Sequence, residues 1–377
     1  MSSVSKENRA SVKASVIIPV YNKEAGLSKC LESVLKHKSY PIEIIAVDDS
    51  STDNSVQIIK EYQKKDRRIK LIPHKTNKGA FAARETGILN AKGSYIFCLD
   101  ADDAIEASCF NKAEPYFGNT DIIAFNALYM HADGKTALYG NKGNESLIGD
   151  EIIDGYIRTN RLNNWGVYPK FIKREIAVTA LKELAVDARL TNSEDMMFFF
   201  SVCFFAESFR RIDSNAYFYS FTEDENASAG RKKYNFDYII NAIEETDFCL
   251  KKTVALFSAR FDESLFNETK IHLFEFFYRR ISPAPKSEKD ILIKRMLDIF
   301  SPLLSFRYLE RVVSQLSKQN ASAAGNADGK NKGKSGGRSI ALKFFKYTTY
   351  KILFNLTFGA IKKFDEKRKK YKQMLGG

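Results

Sequence analysis

The sequence predicts an α/β fold, with a largely parallel sheet flanked by helices and a helical C-terminal extension. Three observations predict it. Short β-branched apolar runs alternate with segments of helical periodicity through 15–103, polar residues gather where those runs end, and apolar helical periodicity dominates 236–317. Strands alternating with helices imply right-handed crossovers between parallel strands.

The strand runs are SVIIPV (15–20), IEIIAVDD (42–49), IKLIP (69–73) and SYIFCLD (94–100). Helical segments fill 24–37, 53–65 and 79–91. In the first, Leu27, Cys30, Leu31, Val34 and Leu35 share one helix face; in the second, Ser51, Thr52 and Asp53 offer caps ahead of Val56, Ile58 and Ile59. Residues 104–235 mix short strands and helices less regularly. The segment 320–338, NASAAGNADGKNKGKSGGR, is small, polar and Gly-rich, the composition of a flexible linker. Beyond it, 339–364 is rich in Phe, Tyr, Ile and Leu but carries Lys343, Lys346 and Lys351, which disfavour a membrane span and fit a helix lying on a membrane surface.

Bulk properties narrow the function. The chain has 377 residues, 44% of them hydrophobic and 28% charged, which suits a soluble body with an ample core. Its five cysteines are odd in number and widely spaced, and read as reduced core residues. The polar N-terminus lacks a signal-like apolar stretch, so a cytoplasmic location is expected. The net charge of +13 is unevenly spread: residues 330–377 hold fourteen Lys or Arg against Asp365 and Glu366, which leaves the rest near neutrality. Basicity therefore belongs to the tail, and the tail is expected to meet anionic lipid at the inner membrane face rather than nucleic acid.

Ligands of open α/β sheets collect beyond the carboxyl ends of the strands. Tyr21-Asn22, Asp48-Asp49-Ser50 and Asp100-Ala101-Asp102-Asp103 stand at those ends. Three close carboxylates repel one another unless a cation is present, and hard oxygen ligands suit Mn²⁺ or Mg²⁺ bridging to a diphosphate. The bland alternative is that Asp at strand ends forms turns and caps. Lys78, Gly79 and Arg84 surround a helix start, where phosphate is favoured.

Four motifs in order, PVYN (19–22), VDDSSTDNS (47–55), NKGAFAARETG (77–87) and FCLDADD (97–103), resemble those of the family 2 glycosyltransferases. The similarity covers roughly 13–230 and implies a GT-A fold: a nucleotide-sugar half at 13–112, an acceptor half at 113–235, a helical extension at 236–319, then the linker and the basic aromatic tail at 339–377. It further implies that Tyr21 and Asp49 hold uracil and ribose, with Pro19 and Glu24 shaping that pocket. Lys78 and Arg84 would face the diphosphate, Asp100 and Ala101 the donor, and Asp102 the metal. Asp48 either braces its loop or touches donor. Ser193-Glu194-Asp195 is similar to the family's acid pair, which makes Asp195 the base and Glu194 its support; Ser193 can also simply cap the next helix. Trp165 and Lys170 match an acceptor-side segment, Trp165 reading equally as a sugar platform or a core anchor.

The resemblance implies inverting transfer of a hexose or N-acetylhexosamine from a UDP-sugar to a saccharide or glycolipid hydroxyl of a surface glycan, such as lipooligosaccharide. A sugar-nucleotide nucleotidyltransferase would show a Gly-rich basic loop after the first strand, where this chain has YNKEAG. A purely nucleic-acid-binding protein is disfavoured by the neutral body and clustered carboxylates.

Overall fold

In the computed structural model the described residues are 12–37, 40–130, 136–158, 165–186, 189–220, 235–281 and 283–300. The expected linker and tail, and residues 221–234, fall outside them. The elements run β1 (Ala14–Val20), α1 (Glu24–Leu35), β2 (Ile42–Asp48), α2 (Ser55–Lys65), β3 (Ile69–Pro73), α3 (Ala80–Leu89), β4 (Tyr95–Cys98), β5 (Ala104–Ile105), α4 (Cys109–Ala113) and β6 (Ile122–Met130). They continue with β7 (Thr136–Tyr139), β8 (Glu145–Ile148), α5 (Asp150–Ile153), β9 (Lys170–Lys173), α6 (Arg174–Leu184), α7 (Glu194–Phe205), β10 (Ser208–Ser220), α8 (Phe236–Leu256), α9 (Glu263–Arg280) and α10 (Lys286–Phe300).

One sheet of ten strands carries the order β3-β2-β1-β4-β9-β6-β10-β5, with β7 paired to β6 and β8 to β10. The run β3-β2-β1-β4 is parallel, as the alternation of strands and helices requires. Beyond β4 the sheet is mixed, because β9 runs antiparallel to both β4 and β6. Two antiparallel steps return β6 to the direction of β4, and β10 pairs parallel with β6. The carboxyl ends of β1, β2, β4, β6 and β10 therefore share one sheet edge, together with the amino end of β9.

β2 is buried at every position and β1 at all but one, as expected of strands covered on both faces. On α1 the predicted face is realised: Leu27, Cys30, Leu31 and Val34 are fully buried, each apolar side chain of this size contributing roughly 1.5–3 kcal/mol. All five cysteines are buried free thiols, as expected. Residues 1–272 with 280–293 form one compact unit, and 273–279 with 294–377 a second. Within the second unit the rings of Phe277 and Phe300 lie nearly parallel, 6.0 Å apart. Among the described residues no helix is long and apolar enough to cross a membrane.

Candidate active site

The strand-end loops are fastened to one another by polar side chains. Asn22, in the left-handed region at φ 51°, accepts through its side chain from the Thr52 N–H at 2.8 Å. Glu24 accepts from the N–H and side-chain amide of Asn54, while its own N–H donates to Asp53. The starts of α1 and α2 thus satisfy each other's open amides. Tyr21, just outside this lattice, is 47% exposed. Half-buried Pro19 lies opposite Val47 in the strand pairing.

Asp49 is only 2% exposed. It accepts from the main-chain N–H groups of Lys78 (2.9 Å) and Gly79 (2.7 Å) and meets His74 Nδ1 at 2.8 Å. His74 Nε2 in turn contacts the Thr86 hydroxyl at 2.9 Å. Gly79, with φ 92°, makes the sharp turn into α3 that a side chain would strain. The Asp49 carboxylate thus braces the 74–79 loop. Asp48 accepts from the Ser51 N–H within its own turn. Lys78 is exposed. His74 is a site residue that sequence reasoning misses; its one legible sign is its place after β3, at the same sheet edge.

The cluster after β4 neutralises its three carboxylates in three ways. Asp100 Oδ1 accepts from Arg84 Nη2 at 2.8 Å. Asp103 accepts from the Tyr217 hydroxyl at 2.6 Å, and that hydroxyl also receives the Asp100 N–H. Asp102 is paired with the Lys23 ammonium at 2.6 Å. Ala101 is buried in the turn between them. Arg84 also reaches Glu194 with Nη1 at 3.4 Å, so it ties the β4 loop to the start of α7. Its side chain is 11% exposed, and its Nε has no hydrogen-bond partner. Burial pulls the guanidinium toward neutrality, but Asp100 and Glu194 outweigh that and hold it charged. The place expected to face diphosphate is thus occupied by an internal bridge.

α7 begins at Ser193, whose φ of 60° is rare for a residue with a side chain. Ser193 does not cap the helix; its hydroxyl meets that of Thr246 at 2.6 Å. With Asn22 and Ser50 (φ 69°), three of the four left-handed non-glycine residues described lie at this site, a distribution typical of functional clefts. Burial raises the Glu194 carboxyl to about 7, helped by the Asp195 charge beside it and opposed by Arg84. Asp195 is half-buried, accepts from the Met196 N–H, and is also raised, chiefly by burial, while Arg84 and Lys170 draw it down.

Lys170 lies 1% exposed, with its ammonium on the carbonyls of Gly166 and Tyr168 and 4.3 Å from the centre of the Phe199 ring. Burial lowers it to about 7. The lysine is drawn inside, where its charge lowers the Asp195 carboxyl. Trp165 is half-buried, its indole N–H donating to the Tyr156 carbonyl at 2.6 Å and its ring set edge-on to Phe200. These are the contacts of a core anchor.

A divalent ion is implied by the resemblance, and the donor set fits one. Among the described residues no three His, Cys, Asp or Glu side chains form a ready-made cage. A hard ion held by one or two carboxylates plus substrate phosphates needs none. Asp102 offers such an oxygen in a place already taken by a cation, the Lys23 ammonium.

Glycosyl transferase family 2 matches residues 15–172, which contain every one of these strand ends except that of β10. Residues 15–172 form a family 2 glycosyltransferase domain. An uncharacterised glycosyltransferase of Bacillus subtilis, EpsJ, is 31% identical over 209 residues, 54% of this chain and 60% of that protein. The poly(ribitol-phosphate) beta-glucosyltransferase of Bacillus spizizenii is 43% identical over 98 residues, 25% of this chain and 15% of that one. The alignments thus span at most three-fifths of these relatives. A crystal structure of S. aureus TarS 1–349 with UDP-GlcNAc superposes at a TM-score of 0.49 and 18% identity, covering 76% of this chain and 89% of that one.

Proposed function

We propose that this family 2 glycosyltransferase is an inverting, metal-dependent enzyme that moves a hexose or N-acetylhexosamine from a UDP-sugar to a saccharide hydroxyl of a surface glycan. One observation carries the reading. Through Arg84, the Asp100–Asp102 loop and the Glu194–Asp195 pair, far apart in sequence, are fastened into one acidic site. Inversion needs just these two ends: charge control at the departing diphosphate and a carboxylate base for the incoming hydroxyl.

In this reading Tyr21 stacks on the uracil, Pro19 and Glu24 shape its pocket, and Lys78 faces the diphosphate from the α3 start. Asp100 and Ala101 line the sugar side. Asp102 would hold Mn²⁺ or Mg²⁺, which would supply positive charge against that growing on the leaving diphosphate. Asp195 takes the proton of the acceptor hydroxyl as its oxygen bonds to the anomeric carbon. The bond from that carbon to the diphosphate oxygen breaks, and UDP leaves with the electron pair. Glu194 and Arg84 position Asp195, and Asp49 with His74 positions the diphosphate loop. The beta-glucosyltransferase relative, named for a ribitol-phosphate polymer acceptor, supports a surface glycan as the class of acceptor.

The test is a screen of UDP-sugars for Mn²⁺- or Mg²⁺-dependent hydrolysis and for transfer to saccharide acceptors. Undiminished turnover in Asp102→Ala or Asp195→Asn would sink the mechanism. The tail, in the same proposal, holds the enzyme on anionic lipid at about 1 kcal/mol per nearby Lys or Arg. Deletion of 320–377 is expected to abolish co-sedimentation with phosphatidylglycerol vesicles while leaving transfer to a soluble acceptor intact.

A further inference from the structure

Lys23 has no part in the reaction as drawn, yet its ammonium is 2.6 Å from Asp102 Oδ2. The contact is built into the fold. The Lys23 main-chain N–H is fixed to the Ser55 hydroxyl at 2.8 Å, which anchors the backbone beside the acidic loop. One turn into α1, Gly26 lets the helix close on the acidic loop: a Cβ there would lie 3.0 Å from Asp102 Cα. The two side chains are 22% and 11% exposed, so the ion pair is largely shielded while the lysine keeps a path to water.

The other two carboxylates of the cluster have different partners. Asp100 is held by a half-buried guanidinium and Asp103 by the buried Tyr217 phenol. Asp102 is paired with an ammonium, a compact point charge on a flexible stem that another cation can replace. A divalent ion arriving by itself must push that ammonium off Asp102 and then bear its repulsion. If a nucleotide diphosphate arrives as well, the displaced ammonium finds phosphate oxygens close by, and the repulsion becomes attraction.

We propose that Lys23 is the resident counter-cation of Asp102 and that it makes divalent-cation binding conditional on the nucleotide diphosphate. The proposal rests on the glycosyl-transfer reading and assigns to Lys23 the coupling between its two ligands. Ion and nucleotide then strengthen each other's binding reciprocally, and the bare ion is kept out.

Mn²⁺ titrated into the full chain, with free Mn²⁺ read by electron paramagnetic resonance, tests it without any turnover. In the absence of nucleotide, Lys23→Gln is expected to bind Mn²⁺ about tenfold more tightly than wild type, within the usual range of such couplings. Lys23→Met should show the same gain, and Lys23→Gln combined with Asp102→Asn should lose it. With saturating UDP the wild-type affinity should rise to approach that of Lys23→Gln. Equal Mn²⁺ affinities of wild type and Lys23→Gln without nucleotide overturn the proposal, as does a gain that survives loss of the Asp102 carboxylate. Failure of wild type to bind UDP at any Mn²⁺ concentration overturns the glycosyl-transfer reading instead, since the nucleotide-free arm needs no donor.

Discussion

The two sides of the site handle negative charge differently. At the ends of β1, β2 and β4, each acid is met by a specific donor: Asp49 by two amides and a histidine, Asp100 by Arg84, Asp102 by Lys23. At the start of α7, Glu194 and Asp195 are adjacent like charges among buried aromatics, and Asp195 accepts from an amide of its own helix. The first arrangement fixes each carboxylate in place through its donors. The second raises both carboxyl groups, chiefly by burial. In the proposed reaction the same residue type serves as scaffold on one side and as reagent on the other.

Removing the reagent has the largest expected effect. Asp195→Asn should lower kcat by about 10³-fold, within the span of general base catalysis, with UDP affinity held within a factor of about two by calorimetry. Should Asp195→Asn also abolish UDP binding, the contrast between the two sides dissolves.

Arg84 joins the two sides, so Arg84→Met should disturb both. It leaves Asp100 and Glu194 without their shared cation and should cost about 3 kcal/mol in urea unfolding, the scale of a broken buried pair. Because Arg84 draws the Asp195 carboxyl down, the same change should move the acid limb of kcat/KM to higher pH. An unshifted limb separates Arg84 from the base.

The Glu194 carboxyl supplies a stability test whose sign is fixed. Its folded-state value, near 7, lies above that of an unfolded glutamate. Between the two values the folded chain holds a proton that the unfolded chain has lost, so stability falls as pH rises through that window. Glu194→Gln should flatten this fall in melting temperature between pH 5 and about 7. On the binding side, Tyr21→Ala removes an exposed ring outside the hydrogen-bonded lattice. It should raise the KM for donor roughly tenfold, the scale of one lost base stack, with no change in melting temperature.

The first side is far more legible in the sequence than the second. The runs 15–20, 42–49 and 69–73 fall within a residue of β1, β2 and β3, because buried parallel strands leave an uninterrupted β-branched signature. β9 has only KFIK to announce it, so its antiparallel insertion, which makes the far half of the sheet mixed, has no local sign. Site residues divide the same way. Asp102 and Tyr21 stand in compact motifs, whereas the partners of Asp102 and Asp49, Lys23 and His74, are assigned only by long-range closure of the chain. The internal partners of Lys170 and Arg84 are hidden in the sequence for a related reason. Sequence shows a cation, and burial decides whether it faces a ligand or a neighbouring carboxylate.

The grip of Asp49 on the loop before α3 has a consequence for how such an enzyme diversifies. It holds main-chain amides, and the side chains of Lys75, Thr76 and Lys78 point out to solvent as exposed residues. The loop's shape therefore does not depend on these side chains, so a library randomised at Lys75 and Thr76 should remain folded throughout, whereas Lys78→Ala should keep the fold and raise the KM for donor. The clamp separates the heritable shape of the loop from its changeable chemistry.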